Sequence, residues 1–138
     1  MNKNQAVNFV ISLLPKNRIF LLTASLGVGK TTFVKSLSKK LKIKDKVISP
    51  TFIIWQKYNF KFKDKDYVLN HIDLYRLRTR DILRLDFEQE LKKRKNIFFI
   101  EWGEKLKKFL ARKKINFIEI IIKINKVKNN SRIFIIKK

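Results

Sequence analysis

The chain has 138 residues, 45% of them hydrophobic, which is enough for one domain with a single core. It has no cysteine and one histidine, which excludes disulfides, thiolate metal sites and an imidazole-based zinc cluster. Apolar runs stay well short of membrane-spanning length, and the first residues lack a signal-peptide cleavage pattern. We therefore expect a cytoplasmic protein that does not contact a membrane.

The formal net charge is +23, from 34 lysines and arginines against 11 aspartates and glutamates. Such a charge fits a polyanionic partner such as tRNA, rRNA or DNA. It also fits compositional drift, because lysine, isoleucine, asparagine and phenylalanine are abundant and share AT-rich codons. The basic residues are spread over nearly every segment, whereas a nucleic-acid interface concentrates them, which favours drift. The charge alone does not identify a function.

The first elements along the chain lead into a phosphate-loop motif. Residues 1–17 have the apolar spacing of a short helix that ends at Pro15, and residues 19–22 are an apolar run that predicts a buried strand. Residues 24–31 then read A-S-L-G-V-G-K-T, which matches G-x-x-x-x-G-K-[ST] at every position but the first. An amphipathic helix follows, so strand, loop and helix supply the context that such a motif requires.

Each residue type in the loop suits phosphate binding. Glycines let several backbone N–H groups converge on one phosphate, and the helix N-terminus adds partial positive charge. Lys30 is expected to reach the β- and γ-phosphates of a nucleotide, and the Thr31 hydroxyl to ligate Mg²⁺. Ala24 adds one methyl group relative to glycine, which a negative φ tolerates. The residues predicted to contact the nucleotide are Ala24, Ser25, Leu26, Gly27, Val28, Gly29, Lys30, Thr31 and Thr32.

Strands and helices alternate through the rest of the chain. An antiparallel strand pair is predicted over residues 52–60 and 67–72, joined by a charged link. A helix is predicted from its N-cap Thr79 to about Lys93, followed by a strand over 96–100 and a helix over 103–112. Two closing strands begin at Ile118 and Arg132, on either side of a turn at Asn129 and Asn130.

Two carboxylates are candidates for the metal-side acid that a phosphate loop needs. Glu101 closes the apolar run over residues 97–100, which is where such an acid lies when its strand is beside the loop strand. Asp73 lies in H-I-D-L-Y-R, residues 71–76, where alternation gives it a polar side with the residues two positions away. That polar side fits a site and a half-exposed strand equally well. Trp102, next to Glu101, fits a core position or the border of a nucleotide site.

The order of these motifs resembles the bacterial TsaE (formerly YjeE) family, the ATPases of tRNA threonylcarbamoyladenosine biosynthesis. That family's order is a loop G-D-L-G-A-G-K-T-T-F, then S-P-T-F/Y, then H-x-D-x-Y-R, then an apolar run closed by E-W. The same order here is ASLGVGKTTF over residues 24–33, SPTF over 49–52, HIDLYR over 71–76 and IFFIEW over 97–102. The chain departs from the family at Ala24 and Ser25, which bears on affinity and turnover.

The resemblance implies an α/β, P-loop NTPase-like three-layer fold with a central mixed sheet and antiparallel strand extensions, in one domain over residues 1–138. It implies ATP and Mg²⁺ as cofactors, with Lys30 and Asp73 in the catalytic polar network and Glu101 as a metal ligand or water-orienting acid. It also puts Thr51, in a switch-like segment, and Arg132 near the nucleotide. The implied activity is ATP hydrolysis that resets a complex of TsaD and TsaB homologues, with tRNA engaged only through that complex.

Two other functions fit parts of the sequence. A small-molecule or nucleoside kinase uses the same loop, but it needs an acceptor pocket and usually an arginine-bearing lid, and no lid insertion is evident. A non-enzymatic RNA-binding protein with a degenerate loop fits the charge. The intact Lys30, Thr31 and Glu101 count against that alternative.

Overall fold

Helices and strands alternate along the chain in the computed structural model, which describes residues 1–24, 29–44, 55–129 and 131–138. The helices are α1 (Lys3–Ser12), α2 (Lys30–Lys40), α3 (Thr79–Leu83), α4 (Phe87–Leu91) and α5 (Lys107–Arg112), with a 3₁₀ turn over Gly103–Leu106 before α5. The strands are β1 (Ile19–Thr23), β2 (Trp55–Phe62), β3 (Lys65–Asp73), β4 (Asn96–Glu101), β5 (Ile118–Asn125) and β6 (Ser131–Lys137).

The six strands form one sheet in the order β2-β3-β4-β1-β5-β6. The four inner strands are parallel, since β4 pairs in parallel with β3 and β1, and β1 pairs in parallel with β5. The edge strands β2 and β6 pair antiparallel with β3 and β5. This mixed sheet with antiparallel extensions confirms the fold class predicted from the sequence.

Helices cover both faces of the sheet, which explains why the two central strands, β1 and β4, carry continuous apolar runs over residues 19–22 and 97–100. On one face, α1 and α2 pack on a core in which Phe20 of β1 and Phe99 of β4 stack with ring centroids 4.6 Å apart. On the other face, α3, α4 and α5 pack on a second core, where Phe87 and Phe98 meet edge to face at 5.6 Å. The three layers therefore come from two separate hydrophobic cores on one sheet.

The helix predicted from Thr79 to Lys93 is wrong, because the structure has two short helices there. The chain breaks at Asp86, whose φ of 61° is left-handed, a conformation that aspartate adopts more readily than most residues. The N-cap of α3 is Arg78, whose N–H donates to Asp81 Oδ2 at 2.9 Å. Thr79 instead donates from its hydroxyl to the Lys105 carbonyl oxygen at 2.8 Å.

Two other predicted boundaries also change. The charged link between the paired strands is mostly strand, and the turn is reduced to Lys63 and Asp64, with φ of 50° and 64°. Positive φ at both central residues is the geometry of a two-residue hairpin turn. The helix predicted over residues 103–112 begins as the 3₁₀ turn.

Some predicted features lie outside the described residues: the switch-like segment at 49–52, loop residues 25–28 and Asn130. Among the helices that the structure does describe, the longest has 11 residues, and none has the length and apolar character needed to cross a membrane.

Gly103 lets the chain that leaves β4 pass directly against β1. A Cβ atom at Gly103 would lie 2.6 Å from Leu21 Cβ and 2.8 Å from Leu21 Cα. Part of that clash is with backbone, so repacking of the Leu21 side chain cannot remove it. This close approach fixes where the segment after β4 begins.

Gly103→Ala should therefore lower the free energy of unfolding by about 1–3 kcal/mol, the usual cost of overpacking a core. Urea denaturation measures it, with Lys108→Ala, an exposed position on α5, as the control. An unchanged denaturation midpoint in Gly103→Ala would show that the strands move apart at little cost.

Candidate functional site

Two of the predicted site residues, Asp73 and Glu101, meet where the parallel strands end. Glu101, the last residue of β4, lies in register with Leu22 of β1 on one side and with Asp73, the last residue of β3, on the other. Ligands of such sheets bind outside the carboxyl ends of the strands. The helix α2 begins at the same edge, after the loop that follows β1.

Gly29 turns the chain from the loop into α2. It is the N-cap residue, with φ of 106° and ψ of 23°, and its carbonyl oxygen accepts the N–H of Phe33 at 2.9 Å. Among the described residues, a Cβ there would meet nothing within 4 Å, and the positive φ alone is reason for glycine at this position. The first turn of α2 contains no acidic side chain, which leaves the positive end of the helix available to an anion.

Lys30 is the only buried lysine or arginine among the described residues, with 5% of its surface exposed. Its Nζ donates to the Ala24 carbonyl oxygen at 3.3 Å and lies 4.3 Å from the centroid of the Trp102 ring. Burying an ammonium group is costly, and the carbonyl and the aromatic face both offset that cost. The cation thus lies between the start of the loop and the end of β4.

Thr31 of α2 and Glu101 of β4 are in direct contact between the helix layer and the sheet. Thr31 Oγ1 lies 3.0 Å from Glu101 Oε1 and 2.9 Å from Oε2. Glu101 is 4% exposed, and its Oε2 also lies 2.5 Å from His71 Nε2. A hydroxyl and a carboxylate are oxygen donors of the kind that Mg²⁺ prefers.

This donor set fits a magnesium ion that is shared with phosphates. Mg²⁺ usually takes one or two protein oxygens and completes its shell with water and substrate phosphates. In the described part of the chain, no group of three or more histidine, cysteine, aspartate or glutamate side chains could hold a metal by itself. Thr31 and Glu101 are therefore suited to binding the metal together with a nucleotide.

Asp73 is half-buried beside this pair. Its Oδ1 accepts the N–H of Tyr75 at 2.9 Å, which is a local turn. Burial raises the pKa of Asp73 above its usual value, and the charge of Glu101 raises it further. The Tyr75 hydrogen bond and the nearby Lys30 lower it, but the net pKa shift is upward. Asp73 is thus electrostatically coupled to Glu101.

Trp102 borders the site and is only partly buried. Its φ of 59° is uncommon for a bulky residue, and such conformations concentrate at functional sites. The centroids of the Tyr75 and Trp102 rings lie 5.1 Å apart. Trp102 therefore contacts an aromatic ring as well as the Lys30 ammonium group. Lys105 Nζ donates to three carbonyl oxygens within residues 74–77 and so holds Tyr75 in place.

Sequence reasoning left His71 without a role. The alternation of residues 71–76 put His71 on the same side as Asp73, but the contact with Glu101 depends on β3 and β4 being neighbours in parallel. The signal that could have revealed it is the parallel pairing of an H-x-D strand with a strand that ends in glutamate.

Arg132 is exposed on the edge strand β6, where it pairs with Ile124 of β5. Thr23, the last residue of β1, pairs with Ile121, so Ile124 lies three residues further along β5, about 10 Å beyond. Arg132 is at the same end of the sheet as the loop, two strands from β1. Thr32 is exposed on α2, and Thr51 lies outside the described residues. The role of these three residues stays a prediction.

Comparisons with known proteins agree with this geometry. The family model "Threonylcarbamoyl adenosine biosynthesis protein TsaE" matches residues 2–133. A tRNA threonylcarbamoyladenosine biosynthesis protein TsaE of Rickettsia typhi is 38% identical over 99% of this chain and 88% of its own length. One of a Nostoc species is 34% identical over 76% of this chain and 66% of its own length. The crystal structure of Bacillus subtilis YdiB is similar in fold, with a TM-score of 0.61 and 21% identity over 97% of this chain and 78% of that one.

Asp73→Asn should stabilise the protein at neutral pH, because the raised pKa means that folding disfavours the ionised form. Asparagine keeps an oxygen that can accept the Tyr75 N–H. The gain in stability over wild type should shrink as the pH falls through the pKa of Asp73 in the folded protein. It should vanish below the pKa of an aspartate in the unfolded chain, about 3.9, because Asp73 is then protonated in both states. Thermal melting at pH 7.5 and pH 3 measures this difference.

Asp66→Asn is the matched control, because Asp66 is an exposed aspartate on the same strand. Removing a negative charge from a chain of net charge +23 should not stabilise it in general. Equal stabilisation by the two substitutions, or none by Asp73→Asn, would contradict the assigned environment of Asp73.

Proposed function

This chain belongs to the TsaE family of tRNA threonylcarbamoyladenosine biosynthesis, and from that premise we propose that it binds ATP with Mg²⁺ and hydrolyses the nucleotide in support of that modification. The observation that carries the proposal is the contact between Thr31 and the buried Glu101 carboxylate, next to the buried Lys30. A degenerate phosphate loop would not need to keep a lysine, a hydroxyl and a carboxylate together in a desolvated position.

Each residue has a role that follows from where it lies. Lys30 and the amino end of α2 would attract the phosphates, and the motif over residues 24–31 is proposed to bind them. Thr31 and Glu101 would hold Mg²⁺, which supplies positive charge to the phosphate oxygens when it is bound. Lys30 would exchange its contacts with Ala24 and Trp102 for contacts with phosphate.

Asp73 is proposed to orient water at the reacting phosphate. Its pKa is raised by burial and by Glu101, which brings the carboxyl closer to the range in which it can accept and return a proton. The Tyr75 N–H fixes one of its oxygens and leaves the other available. Asp73 is thus suited to polarise water while Glu101 is committed to the metal.

The finer proposal is that a complex of TsaD and TsaB homologues accelerates hydrolysis, with tRNA engaged through that complex. Phosphoryl transfer is fast when an extra positive side chain meets the charge of the transition state. Lys30 is the one lysine or arginine buried among the described residues, and Arg76, Arg78, Arg80 and Arg84 are exposed. The described part of the chain therefore buries one lysine or arginine side chain, Lys30, and we propose that further positive charge at the reacting phosphate comes from the partners. The cytoplasmic location expected from the sequence stays a prediction.

Binding and hydrolysis should separate in two variants. Lys30→Ala should weaken binding of a fluorescent ATP analogue by roughly 10- to 100-fold, since charge-assisted contacts contribute about 1.5–3 kcal/mol. Glu101→Gln should keep the affinity measured in EDTA but lose the gain from Mg²⁺ and lose hydrolysis. Lys35→Ala, which removes the same charge from an exposed position on α2, is the control. Wild-type affinity in Lys30→Ala would overturn the assignment of the loop.

Partner dependence is tested by phosphate release. Wild-type protein alone should hydrolyse ATP slowly, and adding purified TsaD and TsaB homologues from the same cell should raise the rate by about 10-fold or more. Glu101→Gln with the same partners is the background control. Fast phosphate release that does not change when the partners are added would contradict the proposed partner dependence and leave a free-standing ATPase.

A further inference from the structure

His71, the only histidine in the chain, lies entirely inside the protein. Its Nε2 is 2.5 Å from Glu101 Oε2, whereas its Nδ1 is buried and makes no hydrogen bond in the described structure. A carboxylate can only accept hydrogen bonds, so Nε2 carries the proton and donates it. The ring thereby connects β3 to the last residue of β4.

The fold itself gains little from a histidine at this position. A buried ring nitrogen without a partner is destabilising, and an apolar residue would avoid that penalty. The nearby Leu69 and Ile72 of the same strand are fully buried and apolar. The sequence therefore keeps a polar ring where packing alone would favour a hydrocarbon, and the group that this ring touches is Glu101.

The two carboxylate oxygens of Glu101 have different surroundings. Oε2 meets both His71 Nε2 and the Thr31 hydroxyl, whereas Oε1 meets only the hydroxyl among the described residues. A carboxylate at the end of a strand can rotate about its side-chain bonds unless a second partner fixes it. His71 provides that second partner from β3 and leaves Oε1 as the oxygen that is free of the ring.

We propose that His71 is a positioning residue of the metal site: its Nε2–H holds Glu101 Oε2 so that Oε1, the oxygen that the ring does not contact, is presented to Mg²⁺ beside the Thr31 hydroxyl. The inference rests on the proposed function and goes beyond it by assigning the group that orients the metal-binding carboxylate. Hydrogen bonds from outside the ligand shell orient ligands in this way, and their loss typically costs 10- to 100-fold in metal affinity.

Two polar substitutions separate positioning from packing. The amide nitrogen of His71→Gln can reach about as far as Nε2, whereas that of His71→Asn reaches only about as far as Nδ1. The measurement is the Mg²⁺ concentration that gives half of the metal-induced gain in affinity for a fluorescent ATP analogue. Asn should raise it by roughly 10- to 100-fold, and Gln should stay close to wild type. Affinity in EDTA should be the same in all three proteins.

Leu69→Val is the control for stability, because Leu69 is fully buried in the same strand two residues before His71. It should lower the melting temperature without changing the Mg²⁺ requirement. An Asn variant with wild-type Mg²⁺ dependence overturns the inference, and so do Gln and Asn variants that are equally impaired. Wild-type protein whose nucleotide affinity does not respond to Mg²⁺ overturns the proposed function, and the inference with it.

A measurement on the unaltered protein gives an independent readout. Since His71 is the only histidine, the ring nitrogen resonances of a protein without a histidine tag belong to it alone. The inference expects the proton on Nε2, and a change in the Nε2 resonance in Glu101→Gln. A neutral ring that carries its proton on Nδ1 would overturn it.

Discussion

The arrangement of the candidate site depends on two contacts that hold the Glu101 carboxylate inside the protein. A buried carboxylate is strongly destabilising unless it is hydrogen-bonded, and here two side chains from different elements meet it. His71 arrives on β3 through parallel pairing with β4, and Thr31 arrives on α2 through the loop that follows β1. The sheet order, the left-handed Gly29 and the start of α2 are all needed to bring these partners to one point.

Two carboxylates and one buried lysine lie around the end of β4, and the excess of negative charge suits a bound cation. Glu101 and Asp73 end adjacent strands, and Lys30 is the one buried lysine or arginine among the described residues. The upward pKa shift of Asp73 arises partly from its carboxylate neighbour. Adding Mg²⁺ next to Glu101 would relieve that repulsion, and adding phosphate next to Lys30 would use the positive charge already there. Metal and nucleotide should therefore favour each other's binding.

Local patterns in the sequence predict which residues to look for at this candidate site. Lys30 and Thr31 follow from the loop motif, and Glu101 follows from an apolar run that ends in an acid, because these signals extend over a few neighbouring residues. The break at Asp86 was not predictable in the same way, since the apolar periodicity continues through it to Phe87 and Leu91. The contact between His71 and Glu101 depends on strand order, which no local pattern contains.

The central claim is that Thr31 and Glu101 share a metal ion with a nucleotide, and a crystal structure with Mn²⁺ and a non-hydrolysable ATP analogue tests it most directly. Manganese takes similar oxygen ligands to magnesium and is located by its anomalous scattering. The account predicts one anomalous peak that is coordinated by Thr31 Oγ1, Glu101 Oε1 and phosphate oxygens. A nucleotide bound at residues 24–32 with manganese held elsewhere, or with Glu101 still joined only to Thr31 and His71, would contradict it.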